Sequence, residues 1–259
     1  MSLCSYHFSV DDTLDCLLEV SDREQYLFDH EFFSFLRQVH DQFNAQVELY
    51  LFLRKQAGGV HRSLADVSDS LRPAFQASPW IRLGPHALEF DTPPYSQTVE
   101  AQQAFCELTY EQILRFAGEN CVSRWVRLHY FSECYELATY FRSRQVEALL
   151  TTDKPAVSYR LPVLQTEQLR QQGHTEFSGI RFVRTHVRIE NLVERSLDDR
   201  QLASELERLC TGSACAVILV HEYELARPAV REMTFRVFAW IQRKQLKPID
   251  DSASLFQQM

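Results

Sequence analysis

The chain has 259 residues, 45% of them hydrophobic, so it can bury one large core or form one barrel-sized domain. Its formal net charge of -8 argues against a general attraction to nucleic acid or to an anionic membrane. With 7 glycines and no glycine-rich loop, the sequence also argues against a phosphate cradle of the P-loop or dinucleotide type.

Cysteine usage and hydropathy predict the compartment. The 7 cysteines are odd in number and form no Cys-x-x-Cys motif, which is typical of reduced thiols in a cytosolic protein. No basic segment followed by an apolar run opens the chain, and no apolar stretch is long enough to span a bilayer. We therefore expect a cytoplasmic protein with neither a membrane nor a nucleic-acid partner, and leave its oligomeric state open.

Strands and helices alternate along the first part of the chain. A first strand is predicted over residues 6–11, where Tyr6, Phe8 and Val10 alternate with other residues. Apolar residues at helical spacing predict an amphipathic helix over residues 31–43. Further strands are predicted over 46–53, 80–86, 124–131 and 146–151, and helices over 96–118 and 134–144, with 64–75 left as helix or loop. Gly84-Pro85 is expected to stop the third strand.

The same alternation continues to residue 247. A short helix is predicted within 159–173, and helices are predicted over 198–210 and 227–244. An extended segment is predicted over 179–190, and a buried strand at the start of 215–225. Alternation of this kind predicts an α/β fold with mostly parallel strands. The length favours a distorted (β/α) barrel of seven or eight units. We expect one domain over residues 1–247 and a C-terminal tail over 248–259.

The most informative feature is the pair Asp11-Asp12 at the end of the first predicted strand. Adjacent side chains diverge at a strand end, so one carboxylate can bind a metal while the other acts as a base. Crowded carboxylates also repel each other unless a cation lies between them. A helix N-cap with acidic residues at the positive end of the helix dipole is an equal alternative for the pair alone.

Other predicted strands also end in potential ligands or catalysts. These are His86 with Glu89, His129 with Glu133, His186, and His221 with Glu222. Chemistry collects at the C-terminal ends of parallel strands, so these groups would converge on one pocket. Each histidine taken singly is better explained by an ordinary structural hydrogen bond. Together, imidazoles and carboxylates suit a divalent metal such as zinc, whose bound water would hydrolyse an ester or amide.

At these residues the sequence resembles the polysaccharide deacetylases, metal-dependent carbohydrate esterases with a distorted β/α barrel. Their first motif, a strand ending in two acidic residues, corresponds to Phe8-Ser9-Val10-Asp11-Asp12-Thr13. The resemblance implies that Asp11 is the base and Asp12 a metal ligand. It also implies that His86 is the first histidine of the family's His-x-x-x-His motif. The late-strand histidine that serves the leaving group corresponds to His221.

Two departures from the family pattern affect the predicted site. Thr13 stands where the family usually has glycine, and Phe90 stands where it has the second histidine. Glu89, His129 or water would then complete the metal site, and we place His129 in the ligand set with Asp12. The family's arginine motif has no clear counterpart, although Arg160-Leu161-Pro162 can stand in for it.

The resemblance implies removal of an acetyl group from an N- or O-acetylated carbohydrate, with a small soluble sugar as substrate and zinc as cofactor. Substrate contacts are assigned to Glu89, Glu222, Arg160 and Trp80. Aromatic residues near strand ends can stack on a sugar or simply pack in the core. A non-catalytic, carbohydrate-binding member of the same fold is the alternative function. A phosphatase of the haloacid dehalogenase type is a third, but it needs aspartates two positions apart rather than adjacent.

Overall fold

The computed structural model describes residues 3–57, 59–131, 135–152 and 161–249. The strands are β1 (Ser5–Thr13), β2 (Val47–Phe52), β3 (Arg54–Ala57), β4 (Val60–Ser63), β5 (Ile81–Ala87), β6 (Trp125–Val126), β7 (Ala148–Thr151), β8 (His174–Phe177), β9 (Ile180–Arg184), β10 (Val187–Arg188), β11 (Cys215–His221) and β12 (Lys247–Pro248). The helices are α1 (Asp15–Asp22), α2 (Glu31–Phe43), α3 (Arg72–Gln76), α4 (Val99–Phe116), α5 (Ala138–Ser143), α6 (Val163–Gln172), α7 (Ile189–Val193), α8 (Asp199–Leu209) and α9 (Pro228–Arg243).

The central strands are parallel and follow one another around a distorted barrel. β1 lies between β11 and β2, and β2 pairs with β5. A second parallel set contains β6, β7 and β9. Only the β3–β4 hairpin and the β8–β9 pair are antiparallel among the strand pairs described. The mostly parallel α/β fold predicted from the sequence is therefore confirmed.

Two junctions join these parallel sets. The segment formed by β9 and β10 pairs with β7 through its first half and with β11 through its second half. At the other junction, the backbone contact between β5 and the chain entering β6 is one bridge, Leu83 to Val122, with a hydrogen bond from Ser123 N to Leu83 O of 2.8 Å. Side chains add to this second junction, since the Tyr50 hydroxyl donates to the Trp125 carbonyl over 2.8 Å.

β1 shows why the chemistry faces the barrel interior. Tyr6 and Phe8 pack edge-on against Phe238 of α9, whereas the alternate residues His7, Ser9 and Asp11 are buried polar groups. Because side chains alternate across a strand, the apolar set faces the helices and the polar set lies inside the barrel. A separate apolar cluster lies among the interior-facing side chains: Tyr50, Trp125, Ala148, Leu150, Val183, Cys215 and Val217.

Several local predictions need correction. Gly84 and Pro85 do not stop the third strand but lie inside β5, where a Cβ on Gly84 would come within 3.3 Å of the Tyr50 ring. The strand predicted over 124–131 is reduced to β6, because Tyr130 and Phe131 adopt positive φ angles of 57° and 54° that break extended structure. α1 and the β3–β4 hairpin were not predicted.

The C-terminal boundary also differs slightly from the prediction. The tail was expected from residue 248, but Pro248 still pairs with Tyr6 in the sheet. Residues 250–259 lie outside the described part of the chain. No helix within the described residues is both long and apolar enough to cross a membrane.

Candidate metal centre and proton-transfer groups

The end of β1 is irregular where the two aspartates lie. Val10 pairs with Leu49 and Thr13 with Leu51, so β1 carries one extra residue between these pairs and forms a bulge against β2. Asp12 takes up the irregularity with φ of 63°, a left-handed conformation that Asp and Asn tolerate better than most residues. The Thr13 hydroxyl donates to the Val10 carbonyl across the bulge, over 3.2 Å. The bulge turns two consecutive carboxylates toward different partners.

The Asp12 carboxylate meets two imidazoles. Its Oδ1 lies 3.1 Å from His86 Nε2 and 3.3 Å from His129 Nδ1, and these two nitrogens are 3.1 Å apart. Asp12 Oδ1 is nevertheless a buried oxygen with no hydrogen-bond partner of acceptable geometry among the described residues. Three ligand atoms bound tetrahedrally to one zinc ion at its usual distances lie about 3.3–3.5 Å apart. The donor triangle is therefore only slightly smaller than a tetrahedral zinc site.

His86 is oriented by the strand beside it. Its Nδ1 donates to the Arg127 carbonyl over 2.7 Å, which leaves Nε2 directed at Asp12. A metal-binding histidine usually donates its second ring N–H to a carbonyl or carboxylate in this way, because that bond sets the tautomer and the ring orientation. The ring is buried, with 2% of its side chain exposed. His86 is therefore held in the orientation that a ligand needs, with Nε2 facing Asp12.

His129 supplies the imidazole at the position where Phe90 breaks the family pattern. The Phe90 ring packs on His129 with centroids 5.5 Å apart, and Phe52 packs against both rings, 5.1 Å from His129 and 6.2 Å from Phe90. His129 begins the short helical turn after β6 that contains the positive φ angles, so the chain folds its ring back over the barrel mouth. The structure thus brings Asp12, His86 and His129 together, as the predicted ligand set requires.

The electrostatics of this cluster also suit a ligand set. Burial would raise the pKa of Asp12, but the close imidazoles of His129 and His86 outweigh burial and hold that pKa well below its usual range. Burial lowers the pKa of His129 below its usual value, which favours the neutral imidazole that binds metals. Burial acts the same way on His86, but the two aspartates outweigh it and raise the pKa of His86.

Asp11 has an arginine as its partner. Arg127 Nη1 donates to Asp11 Oδ1 over 2.9 Å, and both side chains are almost fully buried. Ser9 Oγ donates to the same Oδ1 over 3.2 Å. Burying a charged pair is favourable only when the geometry is good and further hydrogen bonds satisfy the charges, and Ser9 supplies one of them. Asp11 is therefore fixed beside Asp12 without taking part in the donor triangle.

His221 lies next to Asp11 as its partner in the β1–β11 ladder. His221 Nδ1 donates to Glu190 Oε1 over 2.5 Å, and Arg188 Nε donates to the same oxygen over 2.6 Å. Burial raises the pKa of Glu190, but the bonds to His221 and Arg188 lower it below its usual value overall. An ionised Glu190 holds the proton of His221 on Nδ1 and leaves Nε2 for other partners.

Two acidic residues predicted to contact substrate have structural partners instead. Glu89 forms a two-point ion pair with Arg54, with both nitrogen–oxygen distances 3.1 Å. Glu222 accepts from the backbone N–H groups of Leu14 and Cys16, each over 2.7 Å, at the start of α1. Burial raises the pKa of Glu222 to about 7. Because Glu222 caps α1, the alternative reading of the aspartate pair as that helix's cap is wrong.

Trp80 and Arg160 give no support to the predicted substrate contacts. Trp80 immediately precedes β5, whereas His86 lies near its C-terminal end, so the assignment of Trp80 to the site is wrong. Its ring stacks on His40 with centroids 4.3 Å apart and packs on Phe28. The start of a parallel strand lies at the opposite end of the sheet from the chemistry. Arg160 lies outside the described residues.

Sequence reasoning missed Arg127 and Glu190. Arg127 follows β6 directly and is 1% exposed, which is rare for arginine and marks it as a paired group. The alternation of Trp125, Arg127 and His129 along one face is the only sequence signal for it. Glu190 lies in α7, directly after β10, with no such pattern. Both are recognised only when distant strands are brought together.

Half-exposed aromatic side chains surround the candidate centre. Phe90 and Tyr130 contact the His129 ring, Tyr95 contacts Tyr130, and Tyr223 stacks on His221. These four side chains are 39–55% exposed. A groove of about 620 Å³ runs from Asp12 between Phe90 and Tyr223 toward α1. Trp125, by contrast, is buried inside the barrel and packs as core.

Several solved structures share the fold of this chain. Over its whole length the chain is similar to the 4-alpha-glucanotransferase from Thermococcus litoralis, with a TM-score of 0.59, 12% identity and 40% of that enzyme covered. It is similar over 96% of its length to a family 4 carbohydrate esterase from Streptomyces lividans in complex with acetate, with a TM-score of 0.54, 13% identity and 93% of that chain covered. No protein-family model and no curated protein matches the sequence.

A third similar structure is a mutant of a CE4 family pseudoenzyme with restored enzymatic activity. The match covers 95% of this chain and 65% of that one, with a TM-score of 0.54 and 10% identity. At such low identities the likeness is one of fold. The chain has the fold of the polysaccharide deacetylases, as the resemblance implied, and its activity has to be argued from the site.

Proposed function

We propose that the protein is a divergent polysaccharide deacetylase, a metal-dependent hydrolase that removes an acetyl group from a small acetylated carbohydrate. The observation that carries this proposal is the donor triangle of Asp12, His86 and His129, with sides of 3.1–3.3 Å. These three residues would hold a divalent cation, and zinc suits two nitrogens and one carboxylate oxygen. Such a cation lowers the pKa of bound water and polarises the acetyl carbonyl.

The chain's own residues supply the proton transfers. Asp11 would accept a proton from the attacking water, because it lies directly beside Asp12 yet makes its ion pair with Arg127. His221 would protonate the leaving amine or alcohol through Nε2, since Glu190 occupies its Nδ1. The acid and the base lie opposite each other on neighbouring strands. Each has a fixed partner, so neither has to reorganise during the reaction.

The surface around the site supports a carbohydrate as substrate. Half-exposed rings of Phe90, Tyr130 and Tyr223 lie on both sides of the barrel mouth. Aromatic faces present apolar surface next to polar groups, which suits the mixed faces of a sugar ring. The six cysteines in the described residues are all free, which agrees with the cytoplasmic location we propose and hence with a soluble substrate.

The first test is the metal content of protein purified without chelator, measured by elemental analysis. Near-stoichiometric zinc or another transition metal is expected in the wild type and should be absent from Asp12→Asn and His86→Ala. Asn tolerates the positive φ at position 12, so Asp12→Asn removes the charge with little backbone strain. Asp15→Asn is the matched control, because Asp15 is an exposed acid paired with Lys55 and should leave the metal in place.

Acetate release from acetylated mono- and disaccharides is then measured on the same proteins. Release by wild type and Asp15→Asn, but not by the two ligand variants, would support the hydrolase. If the wild type binds no metal after incubation with zinc, cobalt, nickel or manganese, the metal mechanism is wrong. Phe90 at the position of a family ligand would then favour the non-catalytic, carbohydrate-binding alternative.

A further inference from the structure

A second cavity, of about 750 Å³, lies at the side of the barrel formed by the β9–β10 segment, α7 and α8. Among the described residues, four arginines and one carboxylic acid, Glu205, line it. The arginines are Arg184, Arg188, Arg195 and Arg208. Such a concentration is unexpected in a chain whose net charge is -8. We call this cavity the arginine crevice.

The arginine crevice adjoins the proposed proton-transfer groups at two points. Thr185 lines it and accepts a hydrogen bond from Arg127 Nη2, over 3.4 Å, while Arg127 holds Asp11. Arg188 also lines it and donates to Glu190, the residue that holds His221. The crevice is therefore linked to Asp11 through Arg127 and to His221 through Glu190.

Two of the arginines are positioned by one shared carboxylate. Arg208 donates to Glu205 through Nε over 2.8 Å and through Nη2 over 2.7 Å, and Arg195 Nη1 donates to the same carboxylate. The two arginines lower the pKa of Glu205 to about 2, so it stays ionised, yet it balances only one of their charges. The side chains of Arg195 and Arg208 are 47% and 66% exposed, which leaves N–H groups accessible to a ligand.

The groove that starts at Asp12 has the reverse balance of charge. Among the described residues it is lined by five carboxylic acids and by three lysine or arginine side chains. A substrate with one charged end is therefore attracted on one side and repelled on the other. Preorganised arginine side chains are well suited to oxyanions, because each guanidinium offers paired N–H donors in one plane.

We propose that the arginine crevice binds an anionic group of the substrate, so that the acetylated carbohydrate carries a phosphate or a carboxylate. This rests on the proposed deacetylase function for the placement of the acetyl group, but its binding test does not need turnover. The shared chemistry is an oxyanion on the sugar. The phosphate and carboxylate forms are distinguished by separate arms of the test.

Binding is measured by ligand-observed NMR with inorganic phosphate and with two matched sugar pairs. The first pair is N-acetylglucosamine and its 6-phosphate, and the second is glucose and glucuronic acid. At least one anionic sugar is expected to bind roughly tenfold more tightly than its neutral partner, the yield of one charge-assisted hydrogen bond. The pair with the larger ratio identifies the anion. Equal binding within both pairs would overturn the proposal, whatever the outcome for acetate release.

Arg195→Gln and Arg208→Gln are the variants, because each leaves Glu205 paired with the other arginine. Both are expected to weaken binding of phosphate and of the preferred anionic sugar about tenfold while leaving binding of the neutral sugar unchanged. Arg23→Gln is the matched control, since Arg23 is an exposed arginine of the groove that starts at Asp12 and is paired with Glu19. If both crevice variants bind phosphate and the anionic sugars as the wild type does, the crevice is not the anion site. Absence of acetate release together with retained anion selectivity would refute the deacetylase alone.

Discussion

The carboxylates on the two sides of the barrel mouth have different kinds of partner. On the proton-transfer side each carboxylate has a protein cation: Asp11 pairs with Arg127, and Glu190 pairs with Arg188. On the ligand side, Asp12 faces two imidazoles, one of which has a pKa lowered by burial, and its Oδ1 has no hydrogen bond of good geometry among the described residues. The carboxylates of one side are paired within the protein, whereas the other side would be completed by the cation that we propose it binds.

The largest expected effect on stability comes from removing the ion pair between Asp11 and Arg127 on the proton-transfer side. Arg127→Met leaves Asp11 buried without its cation, and we expect the free energy of unfolding to fall by about 3–5 kcal/mol. Urea denaturation measures it. The double variant Asp11→Asn/Arg127→Met should lose much less than the sum of the two single losses, because the two residues are coupled. A loss below about 1 kcal/mol for Arg127→Met would show that this pair is not needed by the fold.

Zinc binding to Asp12, His86 and His129 should change the free energy of unfolding almost as much as Arg127→Met does, but in the stabilising direction. With free zinc at about a thousand times its dissociation constant, the free energy of unfolding should rise by roughly 4 kcal/mol. Thermal unfolding with and without zinc tests this. Asp12→Asn should show no zinc-dependent shift, whereas Asp15→Asn should shift as the wild type does. A similar shift in Asp12→Asn would place the zinc elsewhere.

A smaller effect, on the rate alone, is expected from Glu190→Gln. The neutral amide no longer fixes the proton of His221 on Nδ1, so acetate release should fall roughly a hundredfold, or about 2.7 kcal/mol in the barrier. Metal content should not change, because Glu190 lies on the proton-transfer side. Glu194→Gln, at an exposed acid just beyond α7, serves as the control. Loss of metal in Glu190→Gln would show that the two sides are not independent.

The smallest effect is expected at the edge of the ligand side. Phe90→Ala removes a ring that packs on His129 and Phe52. We expect a loss of about 1 kcal/mol in the free energy of unfolding, because the ring is half exposed. Zinc affinity, measured by competition with a chelator, should fall by less than tenfold. Tyr95→Ala, one ring further from the ligands, should leave the affinity unchanged.

Local patterns were sufficient to predict most of the fold. Alternating and helical spacing placed β1, α2 and β11 close to their observed bounds, since each buries one face or both against a continuous core. The direction of parallel strands then brought Asp12 and His86 to one end. The same rule should have excluded Trp80, because a residue that precedes a strand lies at the opposite end from a residue that ends it.

The remaining features depend on contacts between distant parts of the chain. The bulge that separates Asp11 from Asp12 exists only in the pairing of β1 with β2. Glu222 was expected to contact substrate because it follows His221, but its use as a cap depends on α1, 206 residues earlier in the chain. The pairing of Asp11 with Arg127 spans 116 residues. No local pattern can encode partners at such separations.

The sparse backbone contact between β5 and the chain entering β6 has a mechanical consequence. Across this junction, His86 Nδ1 donates a hydrogen bond to the Arg127 carbonyl. His86 Nε2 faces His129, which follows β6 and belongs to the same donor triangle. A cation bound there would add a further connection between β5 and the chain around β6, which share one backbone bridge among the described residues. Amide exchange in β6 should therefore slow when zinc is added, and His86→Ala should loosen this wall of the barrel even before any substrate is present.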